Sequence, residues 1–366
     1  MLKIRVLSII AANMYIVPKK NCFSFLLLAL FVSCGRTSPV GQVPLRLEKP
    51  RTVLSLDRDT TFRENFPELL HCVGLQVVAD SLLVCQDVPG VADSNLFKVY
   101  ALRDSRYLGS FGKQGRGPGE WLSPRMGQGG SGTDCLQVGD IARGAAFRID
   151  VSRALAGDRD GLVQDVRLPA STVDWTPLSE SSLLSLNAGP EELLFHTVGR
   201  EGRIGKTFHL YDGINGGMAV SKLSSVLIGR GTDDRAAILL MCFPQMILLD
   251  TGSGAVRSVA VDKAARNWDA ILSSPFGPDS FEYYTGVTAT PDLILASYSG
   301  CSIGALMAGG SGGAIHIFDW DGNFLYDLRV RERVGGLAYD AAAHFLYGIE
   351  QNENRIVRYD LSAAGL

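Results

Sequence analysis

Gly300, Ser302 and Gly304 have the spacing of the Gly-x-Ser-x-Gly elbow, in which a strand-to-helix turn exposes a nucleophilic serine. A strand-like run precedes the motif, and Asp340 and His344 follow it in an order that would suit a catalytic triad. The next residues, 305–313, are too rich in glycine to predict the helix that the elbow requires. We therefore assign no catalytic residue, and a hydrolase stays an alternative.

Two glycine-rich stretches have the composition of phosphate-binding loops. Residues 199–207 end in Gly-Lys-Thr, but the spacing is one residue too long for a P-loop. Residues 112–121 include Pro118 and lead into no predicted helix, whereas a phosphate cradle needs a helix N-terminus. We interpret 112–121 as a structural turn, with Arg116 and Glu120 as candidate binding residues if this loop faces a ligand.

No metal site or cofactor is predicted. Residues 319–323 carry alternating Asp and Asn like a calcium loop, but the glycine stands fourth, and Asp-Gly between strands is typical of a hairpin. The histidines lack ligand spacing, and His209 and His316 take the same position in two repeats, which indicates packing. No pair of cysteines has C-x-x-C spacing, so we expect buried free thiols, with a Cys72–Cys85 disulfide as the alternative.

The N-terminal residues have the pattern of an export signal. Lys3, Arg5, Lys19 and Lys20 precede an apolar run of about ten residues, 23–32, which is too short to span a bilayer alone. Translation could start at Met1 or at Met14. Phe31, Val32, Ser33 and Cys34 resemble a lipobox, so we predict a lipoprotein signal peptide at 1–33 and lipidation of Cys34. Acyl chains at this cysteine would hold the protein on a membrane surface of the cell envelope.

Charge argues against a nucleic-acid partner. The chain has 35 Lys and Arg, four of them within residues 1–34, against 38 Asp and Glu, so the mature protein would carry a net charge of −7. Binding to nucleic acid needs a positive face that displaces counterions, and no long basic run is present. We expect no nucleic-acid partner and a monomeric protein.

Short alternating apolar runs dominate residues 49–366, after a lipidated linker at 34–48, and this periodicity predicts an all-β protein. One pattern, an alternating strand that usually ends in Asp, recurs six times, at 97–101, 146–150, 208–212, 246–250, 315–319 and 356–360. Shorter strand-like runs flank most copies. Four strands in each unit of about 50 residues are typical of a propeller blade, so six copies predict a six-bladed β-propeller.

The ends of such a ring must be joined, because open sheet edges are exposed to aggregation. The last copy ends at Asp360, and the six remaining residues leave no room for an outer strand. Residues 52–56 read as a strand with no partner in their own blade. We therefore predict that 52–56 pair beside the strand that ends at Asp360 and so complete the last blade.

Residues 111–121, with the order Phe-Gly-x-x-Gly-x-Gly-Pro-Gly-Glu-Trp, resemble a signature of TolB-like six-bladed propeller lipoproteins. Residues 317–326, 336–340 and 346–349 are similar to the last two blades of that group, while 122–290 match only as generic blades. The resemblance implies a propeller at the envelope with no established chemistry and no named ligand.

Three functional hypotheses follow. The leading one is a lipid-anchored, non-catalytic binding module that receives a protein, glycan or small-molecule ligand at the loops around the central funnel. The second is an exported hydrolase or lyase that acts on a small molecule or glycan, which would gather acids or histidines at the mouth of the ring. The third is a structural subunit of an envelope complex, which would expose a broad apolar patch.

Overall fold

The alternating runs form 25 β-strands in this computed structural model, which describes residues 43–62, 66–88, 95–117, 119–128, 133–158, 161–189, 192–211, 221–310 and 312–366. These strands make six sheets, each with an antiparallel core of strands that are consecutive in the chain, and two N-terminal strands add in parallel to the outside of two of the sheets. The alternation of side chains places apolar residues on both faces of the middle strands. The predicted all-β fold with six blades is confirmed.

The first three blades each have four strands, numbered from the ring centre outwards. Blade 1 contains β3 (Cys72–Val78), β4 (Leu82–Asp87), β5 (Asn95–Ala101) and β6 (Tyr107–Lys113). Blade 2 contains β7 (Pro124–Met126), β8 (Leu136–Asp140), β9 (Ala145–Ile149) and β10 (Leu162–Arg167). Blade 3 contains β11 (Thr172–Ser179), β12 (Ser182–Ala188), β13 (Leu193–Gly199) and β14 (Ile204–Phe208).

The last three blades differ in strand number. Blade 4 contains β15 (Ser225–Gly229), β16 (Arg235–Leu240), β17 (Gln245–Asp250) and β18 (Val256–Ala260), with β1 (Leu45–Leu47) outside them. Blade 5 contains β19 (Phe281–Ala289), β20 (Leu293–Ser302), β21 (Gly313–Asp319) and β22 (Phe324–Val330), with β2 (Thr52–Ser55) outside them. Blade 6 has three described strands, β23 (Val334–Asp340), β24 (Phe345–Glu350) and β25 (Arg355–Asp360).

Short helices lie in the connections. The α-helices are Val151–Leu155, Trp268–Ser273 and Ile303–Met307, and the 3-10 helices are Ile141–Arg143, Lys263–Arg266 and Ser362–Ala364. No helix among the described residues is long and apolar enough to cross a membrane.

The hydrophobic core lies between the blades. Each of six buried clusters joins two adjacent sheets, and the cluster that contains Leu75 and Tyr100 of blade 1 also contains Ala338 and Ile356 of blade 6. Face-to-face packing therefore continues from the last blade to the first. The ring is closed by apolar burial, which supplies about 25 cal/mol for each Å² removed from water.

The prediction that residues 52–56 complete the last blade is wrong. Strand β2 pairs in parallel with β22, with Thr52 opposite Tyr326 and Ser55 opposite Arg329, so it lies on blade 5. An added edge strand is held mainly by backbone hydrogen bonds, which any sheet edge can supply. The residues of β2 therefore did not identify the blade to which it would pair.

Residues 56–62 then cross blade 6 without forming a strand on it. Leu56 is buried in the cluster between blades 5 and 6, the backbone N–H of Asp59 donates to Arg358 O at 2.7 Å, and the ring of Phe62 packs on Tyr347 of blade 6. Leu366, from the C-terminal turn, packs against the same cluster as Leu56. These contacts hold the chain across the outer edge of blade 6.

Residues 45–47, which lie in the segment interpreted from the sequence as a linker, form β1 and pair in parallel with β18. Residues 45–62, called here the N-terminal strap, thus contact the outer edges of blades 4, 5 and 6 in succession before the chain enters blade 1. The strap covers sheet edges that would otherwise be open.

Five of the six sequence repeats are the third strand of a blade, and the copy at 208–212 is misplaced. Phe208 ends the outer strand β14, and the third strand of blade 3 is β13, which ends in glycine instead of Asp. The proposed equivalence of His209 and His316 is therefore wrong. His196 on β13 has the position in blade 3 that His316 has on β21 in blade 5.

Candidate functional site

A cleft of about 500 Å³ opens between blades 4 and 5. It lies on the face of the ring where the inner strands begin, which we call the loop face, because the links between blades and the turns between second and third strands meet there. Its walls come from the turn after β16, from the 20-residue link between β18 and β19, and from the ends of β19 and β20. A volume of this size is typical of small-molecule sites.

Aromatic rings form one wall of the cleft. The ring of Phe281 stacks on that of Tyr283 with centroids 6.0 Å apart, and Tyr298 follows at 5.9 Å from Tyr283. Phe281 is 47% exposed, and Phe276 at the rim is 61% exposed. Large apolar rings that stay in solvent beside a cleft are typical of a binding surface.

Polar side chains face the aromatic wall. One carboxylate oxygen of Asp262 accepts the N–H of Ala264 at 2.7 Å and caps the helix Lys263–Arg266. The carboxylate of Asp279 and the amide of Asn267 also line the cleft, and their side chains make no hydrogen bond to any residue in the described ranges. The cleft therefore offers acceptors that a ligand could use.

Lys222 lines the cleft but does not offer a free charge. Its side chain is buried, and its ammonium donates to the hydroxyl of Ser274 at 2.9 Å and to the carbonyls of Ile271 and Ser274. These carbonyls lie at the C-terminal end of the helix Trp268–Ser273, where a cation is favourable. Lys222 thus holds this helix in the wall of the cleft.

A buried histidine supports the aromatic wall from behind. The rings of Tyr298 and His316 stack with centroids 4.0 Å apart, and the Tyr284 hydroxyl lies 3.3 Å from His316 Nδ1. Burial, together with the charge of Arg329, holds the pKa of His316 well below its ordinary value. His316 is therefore neutral, and its 3.8 Å approach to Asp327 is not an ion pair. This layer fixes the position of Tyr298.

The two candidate residues of the glycine-rich loop lie on the loop face between blades 1 and 2. Glu120 turns into its own loop, where its carboxylate accepts the N–H of Gly117 at 2.6 Å, and a Cβ at Gly115 would lie 2.1 Å from the same oxygen. Arg116 is exposed. The loop ends at Trp121, which is buried against Phe97. Glu120 thus stabilises its own turn and does not line the cleft.

Ser302 does not belong to a catalytic triad in this fold. The helix Ile303–Met307 follows it, contrary to the expectation from the glycines, and the Ser302 hydroxyl accepts the N–H of Ala305 at 3.3 Å as its cap. Ser302 ends β20 on the loop face, whereas Asp340 ends β23 and His344 precedes β24 on the opposite face.

Three buried carboxylates lie on the loop face, the side of the ring on which the enzyme hypothesis would place its acids. Asp87, Asp140 and Glu350 end the second strands of blades 1, 2 and 6. Each accepts backbone N–H groups of a nearby loop. Asp87 accepts the N–H of His71 at 2.7 Å, Asp140 accepts that of Leu122 at 2.8 Å, and Glu350 accepts that of Glu353 at 2.7 Å. These acids satisfy loop backbones that burial would otherwise leave unpaired.

Cysteines and metals add no further site among the described residues. Cys72, Cys85, Cys135, Cys242 and Cys301 are free thiols, so the alternative of a Cys72–Cys85 disulfide is wrong. No group of three or more His, Cys, Asp or Glu in the described ranges could hold a metal ion. The predicted lipidation site, Cys34, lies outside the described residues.

Sequence reasoning missed the residues of the cleft. The interval from the repeat at 246–250 to the repeat at 315–319 is the longest between copies, 69 residues, and it contains the link that builds the wall. Loops carry function more often than the strands that they join. This long interval was the signal that could have located the site.

Comparison with known proteins finds similarity in the fold, and not in the sequence. No family model matches the sequence, and no curated protein matches it. A member of the DUF4221 family from Bacteroides vulgatus ATCC 8482 is similar in structure, with a TM-score of 0.51, 10% identity and coverage of 84% of this chain and 95% of that chain.

Two further solved structures are similar at lower TM-scores. A protein described as exported, from Bacteroides fragilis NCTC 9343, has a TM-score of 0.46 and 12% identity over 84% of this chain and 99% of its own. U3-55K has a TM-score of 0.49 and 11% identity over 83% of this chain and 100% of its own. The six sheets, together with the DUF4221 structure, identify the chain as a six-bladed β-propeller.

Proposed function

We propose that this chain is a lipid-anchored envelope protein, related to the TolB-like propeller lipoproteins, that binds a small ligand without transforming it. The observation that carries the proposal is the cleft between blades 4 and 5, where exposed aromatic rings lie beside Asp279 and Asn267, whose side chains make no hydrogen bond to a described residue. Phe281 lies on β19, Asn267 precedes the helix that Lys222 holds, and a site that is already ordered binds without a large ordering cost.

The arrangement of acids supports binding over catalysis. The buried carboxylates that end the second strands already accept backbone N–H groups, and Ser302 caps a helix on the face opposite to His344. A general acid or base must reach the substrate with a free proton position. We therefore propose the cleft as the ligand site, in place of the central funnel that the repeat pattern suggested.

Lipidation is tested by mass spectrometry of the membrane fraction with the full chain and a Cys34→Ser variant. The expected result is a mature protein that begins at a diacylglyceryl-modified Cys34, and a variant that leaves the membrane fraction. A mature form with an unmodified Cys34 thiol, released in water, contradicts the anchor.

Binding is tested by thermal unfolding in the presence of the low-molecular-mass fraction of an envelope extract. The extract should raise the Tm of the wild type, because a ligand that binds only the folded state stabilises it. Phe281→Ala should abolish this rise, whereas Ile204→Ala, at an exposed apolar residue on β14, should retain it. An equal rise in all three proteins would place the ligand elsewhere.

A further inference from the structure

We propose that the cleft between blades 4 and 5 recognises an organic ammonium group attached to an apolar body. This inference rests on the proposed function and adds the chemical class of the ligand. It follows from the charges of the lining residues, from the aromatic wall and from the unused acceptors.

The open part of the cleft carries net negative charge. Asp262 and Asp279 line it with exposed carboxylates, while the cation in its lining, Lys222, is 2% exposed and donates to carbonyls and to a hydroxyl. Glu282 lies nearby, but its carboxylate pairs with Arg333 at 2.7 Å. Carboxylates in a partly dry cleft raise the local concentration of cations and repel anions.

The aromatic wall suits a cation with an apolar surface. An ammonium group within about 6 Å of a ring centroid is attracted to the negative face of the ring. Phe281, Tyr283 and Tyr298 form a continuous row, and Phe276 stands at the rim. Burial, with the charges of Asp262 and Cys242 nearby, raises the pKa of Tyr283 to about 12, so its ring is a neutral phenol beside the carboxylate of Asp262.

The unused hydrogen-bond groups point to the same class. Asp279 accepts no hydrogen bond from the described residues, and Asp262 uses one oxygen for its cap. Carboxylates are acceptors only, so the ligand must donate or carry positive charge. A neutral sugar could also donate to them and stack on the rings, but it would gain little from the net charge of the cleft.

The test separates charge from shape with isosteric pairs. Isothermal titration of the full chain compares choline with 3,3-dimethylbutan-1-ol, which replaces the nitrogen by carbon, and 2-phenylethylamine with 2-phenylethanol. Each cation is expected to bind at least about 10-fold more tightly than its neutral partner, the ratio that cation–π attraction and one carboxylate contact supply together.

Variants assign the preference to the cleft. Asp279→Asn should weaken the binding of both cations about 5- to 10-fold and leave the neutral compounds unchanged, whereas Phe281→Ala should weaken both members of each pair. Asp292→Asn, at an exposed aspartate in the turn between β19 and β20 on the opposite face, is the matched control and should have no effect. Circular dichroism verifies that all three variants are folded.

The inference is overturned if neither cation binds more tightly than its neutral partner, or if Asp279→Asn leaves that ratio unchanged. Binding of methyl glucoside that depends on Phe281 but not on Asp279 would assign the cleft to a sugar instead. In both cases a rise in Tm with the envelope extract that Phe281→Ala abolishes would still support the cleft as a ligand site, so the two proposals fail separately.

Discussion

The indole of Trp175 occupies the space that any side chain at Gly139 would need, since a Cβ at this glycine would lie 2.1 Å from Nε1 of the ring. Trp175 is on β11 of blade 3 and Gly139 is on β8 of blade 2, so the contact joins two blades. We expect Gly139→Ala to lower the free energy of unfolding by about 1–3 kcal/mol, because the tryptophan must leave its position. Urea unfolding measures this change.

The control for this substitution is Gly277→Ala, because a Cβ there would have no neighbour within 4 Å. Its effect should stay within about 0.5 kcal/mol, as for most surface changes. Equal destabilisation by the two variants would show that the contact between Trp175 and Gly139 is not what limits the space at this position.

Asp59 and Arg358 form an ion pair at the closure of the ring, 299 residues apart in the sequence, with Nε 3.0 Å from Oδ2. Both side chains are largely buried. Burial acts to raise the pKa of Asp59, but hydrogen bonds from Thr61 and Arg358 outweigh it, and the pKa is lowered. Asp59→Asn should therefore reduce the free energy of unfolding at pH 7 by about 1–2 kcal/mol.

Asp57 supplies a matched control two residues away. It pairs with Arg331 at 3.5 Å, but both side chains are at least 80% exposed, so Asp57→Asn should lower the free energy of unfolding by less than about 0.5 kcal/mol.

Because the pKa of Asp59 is lowered in the folded state, the stability that it contributes is present above the unfolded value near 3.8 and is lost as pH falls below it. If Asp59→Asn showed the same loss at low pH as the wild type, the pair would not be its source.

Asp174, on the inner strand of blade 3, has the opposite pH dependence. Burial raises its pKa to about 6, against smaller lowering effects of the Trp175 N–H and of Arg125. Between pH 3.8 and 6 the folded protein binds this proton and the unfolded chain does not, so stability falls as pH rises through that window.

Asp174→Asn removes this ionisation. The variant should be more stable than the wild type at pH 8 by about 1–2 kcal/mol, a value reduced for partial solvent access, and the difference should shrink towards pH 4. Urea unfolding at both pH values measures it. A difference that is constant with pH would exclude ionisation of Asp174 as the cause.

The glycine-rich loop of blade 1 gives a test within a single turn. Glu120→Ala removes the acceptor of the Gly117 N–H and should lower the free energy of unfolding by about 1 kcal/mol. Arg116→Ala, at an exposed side chain, should change it by less than about 0.5 kcal/mol. The reverse order of effects would mean that Arg116 and not Glu120 holds the loop.

The sequence predicted the number and the main strands of the blades because a period of two and a terminal Asp can be read from the residues of one strand. Copies such as 246–250 and 315–319 coincide with β17 and β21 for this reason. The misplaced copy at 208–212 shows the limit, since blade 3 ends its third strand in Gly199 and the next aromatic run imitates the pattern.

Ring closure and the cleft could not be predicted in the same way. The pairing of β2 with β22 depends on where Leu56 and Phe62 find apolar contacts, and these partners are hundreds of residues away in the sequence. The cleft gathers Asp262, Asp279 and Phe281 through the path of a long link. Neither arrangement has a local period, so only the folded chain shows it.

The N-terminal strap imposes an order of assembly on the chain. Strand β1 needs β18, and β2 needs β22, so neither can pair until residues about 200 and 270 positions further on have been synthesised and folded. During that time the strand with Val53 and Leu54 stays available to other sheets or to a chaperone. The earliest segment of the propeller to be synthesised is therefore among the last to reach its native partners.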